Sequence, residues 1–156
     1  KSQQKAVGRN INETGINMGN WYNTGYDKTH DFSFVSNFKL NKKLTFNTNF
    51  IFQTGQPTNY PIGQYTYMDL TIPNYGARNS NRLPNYHRLD ISLTIDPNKN
   101  KKRDYKSEWV FGFYNIYDRD NANSITFRQN DKTLKNEAVQ ISIFGIVPSI
   151  TYNFKF

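Results

Sequence analysis

The chain has 156 residues, with 20 Lys and Arg against 12 Asp and Glu for a net charge of +8, and no cysteine. Disulfides, thiolate metal sites and cysteine nucleophiles are therefore excluded. Only 36% of the residues are hydrophobic and the mean hydropathy is -0.81, yet aromatics make up 16%. The chain is polar overall and unusually rich in rings. No run of about eighteen apolar residues is present, so no transmembrane helix is expected, and nothing at the start reads as a charged-then-apolar signal peptide. With Lys1 as first residue, the sequence is expected to be the C-terminal part of a longer, exported polypeptide.

The first clear element is HDFSFVSNFKL, His30 to Leu40. It sets Phe32, Phe34, Phe38 and Leu40 on one face against Asp31, Ser33, Asn37 and Lys39 on the other, with Val35 and Ser36 out of pattern. After a short NKK turn, LTFNTNFIFQ opposes Leu44, Phe46, Phe50 and Phe52 to Thr45, Asn47, Asn49 and Gln53. Period-two alternation on both sides of a tight connection predicts an antiparallel hairpin. From Thr54 to about Asn85 the chain is punctuated by Gly55, Pro57, Pro61, Gly63, Pro73, Gly76 and Pro84, and it is expected to be a long loop. Compact domains rarely carry loops of this length unless they are functional.

YHRLDISLTI follows, with Leu89, Ile91, Leu93 and Ile95 against Arg88, Asp90, Ser92 and Thr94, then the polar turn DPNKNKKRDYK. EWVFGFYNIY places Trp109, Phe111, Phe113 and Tyr117 on one face and predicts a fourth strand. Residues 118–143 read as a second excursion, whose arms SITFRQ and NEAVQISI extend a hairpin. The apolar parity changes between Ile141 and Ile143 on one side and Ile146 and Ile150 on the other, which predicts one inserted residue at Gly145, a bulge. The chain ends on IVPSITYNFKF, where Ile146, Ile150, Tyr152, Phe154 and Phe156 share a face opposite Val147, Ser149, Thr151, Asn153 and Lys155, with Pro148 expected near the rim.

Five amphipathic strands with an aromatic face, each near the length of about 9–11 residues that spans a tilted bilayer crossing, predict an all-β fold. That fold is a transmembrane antiparallel β-barrel segment, the five C-terminal strands of a larger barrel. Connection lengths sort in the same sense. The 41–43 and 96–106 turns fall on the side where the last strand ends, the periplasm, and the 54–85 and 118–143 excursions fall outside, as in outer-membrane barrels. Because small membrane barrels need about eight strands, five alone leave two edges to be paired by more chain.

Several strings resemble the C-terminal region of Bacteroidetes-type TonB-dependent outer-membrane receptors: GNWYNTGYDKTHD, FQTGQPTNYPIGQY, IPNYGARNSNRLPNYHRLDISL, FGFYNIYDRDNANSITF and AVQISIFGIVPSITYNFKF. The likeness covers roughly residues 19 to 156. It is closer to receptors with a carboxypeptidase-regulatory-like domain than to SusC-type glycan importers, which work with a SusD-like lipoprotein. The resemblance implies a roughly 22-stranded barrel around an N-terminal plug, with uptake energised through TonB, ExbB and ExbD. It also implies that Tyr152, Phe154 and Phe156 form the signal read by the BAM insertion machinery; lipid-facing packing is the plainer role for the same rings.

Arg88 and Asp90, two apart on the polar face of one strand, are expected to face the lumen, as a pair bracing the plug, lining a substrate path, or serving structure alone. In the first excursion Tyr60, Tyr65, Tyr67 and Tyr75 with Arg78 and Arg82 are candidates to stack on sugars or hold an anionic ligand, against a role in packing the loop on itself. His30 and His87 have no second ligand at metal spacing; His87 is expected at the membrane interface beside Tyr86. Lys42, Lys43, Lys99, Lys101, Lys102 and Arg103 fall in turns while the rings fall on strand faces, which argues against a nucleic-acid surface. No Ser-His-Asp or paired-carboxylate constellation is present, so no enzyme activity and no cofactor is expected. An assembly substrate or a subunit of a larger surface complex is the remaining class.

Overall fold

The computed structural model describes residues 1–8, 15–68, 70–97, 105–130, 132 and 136–155. Its strands in chain order are β1 (Gln3–Gln4), β2 (Tyr22–Asn23), β3 (Asp31–Lys39), β4 (Leu44–Gln53), β5 (Pro57–Thr58), β6 (Pro61–Tyr67) and β7 (Leu70–Tyr75). They continue with β8 (Asn81–Arg82), β9 (Tyr86–Ile95), β10 (Lys106–Tyr114), β11 (Ala122–Gln129), β12 (Asn136–Ser142) and β13 (Val147–Lys155). The fold is all-β, with one short 3-10 turn at Ile16–Gly19. Among the described residues no helix is long and apolar enough to cross a membrane, which leaves crossing by strands open.

Two compact units divide the chain. One comprises Lys1–His30 and Thr54–Asn85, the other Asp31–Gln53 and Tyr86–Phe156. The second is built on a five-stranded antiparallel sheet in the order β13-β10-β9-β4-β3. The β3–β4 hairpin closes on Asn41, whose Oδ1 accepts from the backbone N–H groups of Lys43 (2.8 Å) and Leu44 (2.9 Å). This is the local hydrogen bonding that makes Asn a turn residue. Strand β4 pairs with β9 across the first excursion, from Leu44 opposite Ile95 to Gln53 opposite Tyr86. Strand β10 pairs with β13 across the second, from Lys106 opposite Lys155 to Tyr114 opposite Val147.

Directly opposed residues share a face, so register extends each strand's alternation across the sheet. Phe34, Phe50 and Leu89 stand in one row, and Leu93, Phe111 and Ile150 in another. The opposite face carries Asn37, Asn47, Ser92, Gly112 and Ser149 in a row. A Cβ at Gly112 would stand 2.8 Å from the Ser149 hydroxyl, so a larger residue there would make that side chain turn aside.

The sheet is one layer thick. Among the described residues no strand of its unit stacks on either face; the apolar side chains of β3, β10 and β13 are open, from 39% exposure at Phe111 to 69% at Ile150, while those of the central strands β4 and β9 are half-buried between their neighbours. Among the described residues the only buried hydrophobic side chain is Tyr22 of the first unit, at 6%. Paired rings run along the open face, with Trp109 and Tyr152 centred 4.6 Å apart and Tyr152 and Phe154 6.0 Å apart.

Three expectations need correction. Residues 54–85 are not a plain loop: they hold the β6–β7 ribbon and the short β5–β8 pair, and they fold into one unit with the first thirty residues. Strand β10 stops at Tyr114, short of Ile116 and Tyr117, because Asn115 takes φ 53° and turns the chain out of the sheet. The parity change at Gly145 is a break between two sheets rather than a bulge, since β12 pairs only with β11 and β13 with β10. Asp118 fixes this break: its Oδ1 accepts from the Ile146 N–H at 2.7 Å, and a Cβ on Gly145 would run into the same carboxylate.

Candidate functional site

The polar face of the sheet carries a connected cluster where β9 begins and β10 ends. Alternation aims Tyr86, Arg88 and Asp90 to the same side, and register brings Asn49 opposite Asp90. The Arg88 Nε donates to Asp90 at 3.0 Å, and its Nη1 donates to the Tyr86 hydroxyl at 3.0 Å. The guanidinium also lies 4.0 Å above the centre of the Tyr114 ring, a cation–π contact. Asp90 further accepts from the Asn115 backbone N–H at 3.0 Å and from Asn49 Nδ2 at 3.3 Å. The expected Arg88–Asp90 pair is therefore formed. Its carboxylate joins three segments, β9, β4 and the turn after β10, and its arginine is fixed flat, the arrangement in which an Arg–carboxylate pair specifies geometry.

Asn115 joins this cluster to the base of the second excursion. Its side chain is fully buried, donates through Nδ2 to the Arg119 carbonyl (2.9 Å) and accepts at Oδ1 from the Arg119 N–H (3.2 Å). The following N–H, of Ile116, donates to the Leu89 carbonyl at 2.8 Å. Asn121 clamps the His87 backbone from both sides, accepting from its N–H (3.1 Å) and donating to its carbonyl (2.9 Å). The His87 ring occupies the apolar face, stacked on Phe52 and 2.8 Å from the Tyr117 hydroxyl rather than beside Tyr86. Asn115 and Asn121 escaped the sequence reading, which treated 118–143 as an excursion without anchors; an Asn just past an aromatic strand is the available signal, because Asn tolerates φ > 0.

In the first unit the six loop candidates separate. Arg82 is committed to structure: its guanidinium pairs with the buried Asp27 carboxylate and donates to the Gly55 carbonyl at 2.9 Å. Tyr60 donates its hydroxyl to the Arg82 carbonyl at 3.2 Å, and burial pushes its pKa up. The Arg82 hydrogen bond, with a second from the Ser2 N–H, holds the Asp27 carboxyl below the usual carboxylate range. Arg78 sits over the Tyr22 ring, 5.7 Å from its centre. Tyr65, Tyr67 and Tyr75 stay exposed on the β6–β7 ribbon, where Tyr65 and Tyr67 share a face. Tyr60, Arg78 and Arg82 thus make contacts within their own unit, while Tyr65, Tyr67 and Tyr75 are exposed.

Tyr152 and Phe154 lie on the apolar face of edge strand β13, while Phe156 and the lysine turn 99–103 lie outside the described residues. The described residues hold no group of three or more His, Asp or Glu able to bind a metal ion. Comparison with protein-family models, with curated proteins and with solved structures finds no match to this chain.

Proposed function

We propose that this chain is the C-terminal strand set of an outer-membrane β-barrel receptor of the TonB-dependent kind, a transporter with no chemistry of its own. The observation that carries the reading is the single-layer sheet with an open aromatic face on one side and a hydrogen-bonded polar face on the other. In water such a face is a large uncovered apolar patch; against lipid it is the outside of a barrel. Strands of 9 or 10 residues are about 30 Å long at about 3.3 Å per residue. Tilted by about 40°, they cover about 23 Å, close to the apolar band of about 25 Å of an outer-membrane barrel. The long excursions leaving one end of the sheet, and the likeness of the receptor-like strings, point the same way.

In this reading the Arg88–Asp90 cluster lines the lumen, where a plug or a passing ligand would meet it. Tyr65, Tyr67 and Tyr75 stand on an extracellular loop, TonB, ExbB and ExbD supply energy, and BAM reads the last strand. The SusC-type alternative, with a SusD-like lipoprotein, is distinguished by co-purification of that partner. The first test is the location and denatured mass of the native polypeptide carrying this sequence. Recovery in the outer-membrane fraction at several times 18.3 kDa is expected. A soluble protein would overturn the reading.

A further inference from the structure

Charge is divided along the strands of the sheet. The segments at its turn end, residues 39–43 and 96–108, together with Lys155, hold nine Lys and Arg against three acids, a net +6 of the chain's +8. The remainder of the same unit holds five Lys and Arg against six acids. Strand β3 ends on Lys39, β10 begins on Lys106, β13 ends on Lys155, and Lys42 and Lys43 lead into β4. At the excursion end the strands are bounded instead by Asp31, Gln53, Tyr86, Tyr114 and Val147. We infer that the lysine rim binds the phosphodiester headgroups of anionic phospholipids in the membrane leaflet at the turn end; this rests on the membrane reading above and adds to it a class of lipid.

Lys39, Lys42, Lys43, Lys106 and Lys155 are all exposed, and among the described residues no ion pair holds any of them. Lys106 stands directly opposite Lys155, and like charges so placed weaken a strand pair. An anion shared by the two ammonium groups relieves that repulsion. The carboxylates at this end, Asp96 and Glu108 among the described residues, leave the rim strongly positive, and Glu108 is engaged by Asn153 Nδ2 at 2.9 Å. Eight of the nine cations are lysine. A lysine is a point charge on a flexible stem, which lies along apolar surface while its head reaches an anion at the water boundary.

The adjoining surface fits the rest of an amphiphile. Trp109 and Tyr152, with ring centres 4.6 Å apart, and Phe154, 61% exposed, occupy the apolar face within three residues of Lys106 and Lys155, about 10 Å along a strand. Trp and Tyr rings settle at headgroup level, so acyl chains lying against this face bring their phosphates to the lysines. An acidic protein would engage the charges alone; the ring face beside them favours a ligand with a charged head and apolar tails.

The test places the photoreactive residue p-benzoylphenylalanine at Phe154, and separately at Phe32 near the excursion end of the same face, in the native full-length protein. The protein is reconstituted in vesicles of equimolar phosphatidylglycerol and phosphatidylcholine, illuminated, and its lipid adducts identified by mass. Phosphatidylglycerol adducts should exceed phosphatidylcholine adducts by roughly threefold or more at Phe154 and stand near parity at Phe32. The excess should vanish in about 1 M salt, where the screening length is about 3 Å, an arm that needs no lysine variant. It should vanish equally when Lys39, Lys42, Lys43, Lys106 and Lys155 are jointly replaced by glutamine. Parity at Phe154, an equal excess at both positions, or an excess that survives salt would overturn the inference while leaving the membrane reading intact. A lack of lipid adducts at both positions would overturn both.

Discussion

Replacing Asn115 with alanine removes three things at once. The side chain's two hydrogen bonds to the Arg119 backbone, at 2.9 and 3.2 Å, are lost. The Arg119 backbone groups lose these partners in a partly exposed turn, at about 0.5–1.5 kcal/mol per bond. Alanine must also hold φ near 53°, which costs an L-residue other than Asn or Gly about 1–2 kcal/mol. Together these come to about 2–5 kcal/mol, borne by the base of the second excursion. Glycine at the same position keeps the backbone freedom and loses only the bonds, for about 1–3 kcal/mol. The readout is amide hydrogen exchange at Ile116 and Asp118, whose N–H groups donate to Leu89 and Asn115 at 2.8 Å each. At about 1.4 kcal/mol per tenfold, Asn115→Ala should speed exchange there by roughly 30-fold or more, and Asn115→Gly by less. Equal rates in wild type and alanine variant would refute the assignment of this residue as the anchor; equal rates in alanine and glycine variants would refute the backbone contribution.

Lysine in place of Phe111, near the middle of β10 on the open face, should cost about 2–4 kcal/mol if that face meets lipid and deplete the protein from the outer membrane. Thr151→Lys on the opposite face should leave its abundance near wild type, and equal abundance of the two would contradict the facing. The two tryptophans provide a second check: brominated lipids should quench Trp109 and spare Trp21, read in the single-tryptophan variants Trp21→Phe and Trp109→Phe. Arg82→Met should speed proteolysis within residues 54–85 while leaving the strand signal in circular dichroism unchanged, since Arg82 bonds both Asp27 and Gly55. The Asp27 carboxyl is held below its ordinary value, so its contribution is present above about pH 3.9 and is lost as pH falls through the depressed folded value. Protease resistance of this unit should hold from neutral pH down to about 4 and fail below it, and an acid-insensitive unit would refute the Asp27 clasp.

The strands of the sheet were legible because alternation alone sets them. Leu44–Gln53 and Tyr86–Ile95 match their expected bounds, and β3 loses only His30 and Leu40 from its ends. Hydrophobic period also placed Arg88 and Asp90 on one side, because side chains two apart in a strand cannot do otherwise. What stayed hidden is held by single polar contacts without period. The Asp118–Ile146 bond that turns an expected bulge into a break is one such contact. The Arg82–Asp27 pair, which joins segments 55 residues apart, is another. The end of β10 was overrun for the same reason: Ile116 and Tyr117 continue an apolar pattern that Asn115 has already diverted.

A sheet with no second layer reverses the usual rule of mutational tolerance. In a packed interior, the loss or gain of one methylene is felt because neighbouring side chains have fixed shapes. Among the described residues no side chain buries Phe32, Phe111 or Ile150, and against the lipid proposed above a fluid neighbour would adjust to whatever outline they present. Exchanging Phe for Leu or Ile on that face leaves little void behind, whereas a single hydroxyl or charge is penalised. The polar face obeys the opposite constraint: Gly112 beneath Ser149 and Asn49 against Asp90 depend on size and hydrogen-bond direction together. If the apolar face meets lipid, as proposed above, it is free over evolutionary time to drift in shape while holding its polarity, whereas the polar face is bound to keep both.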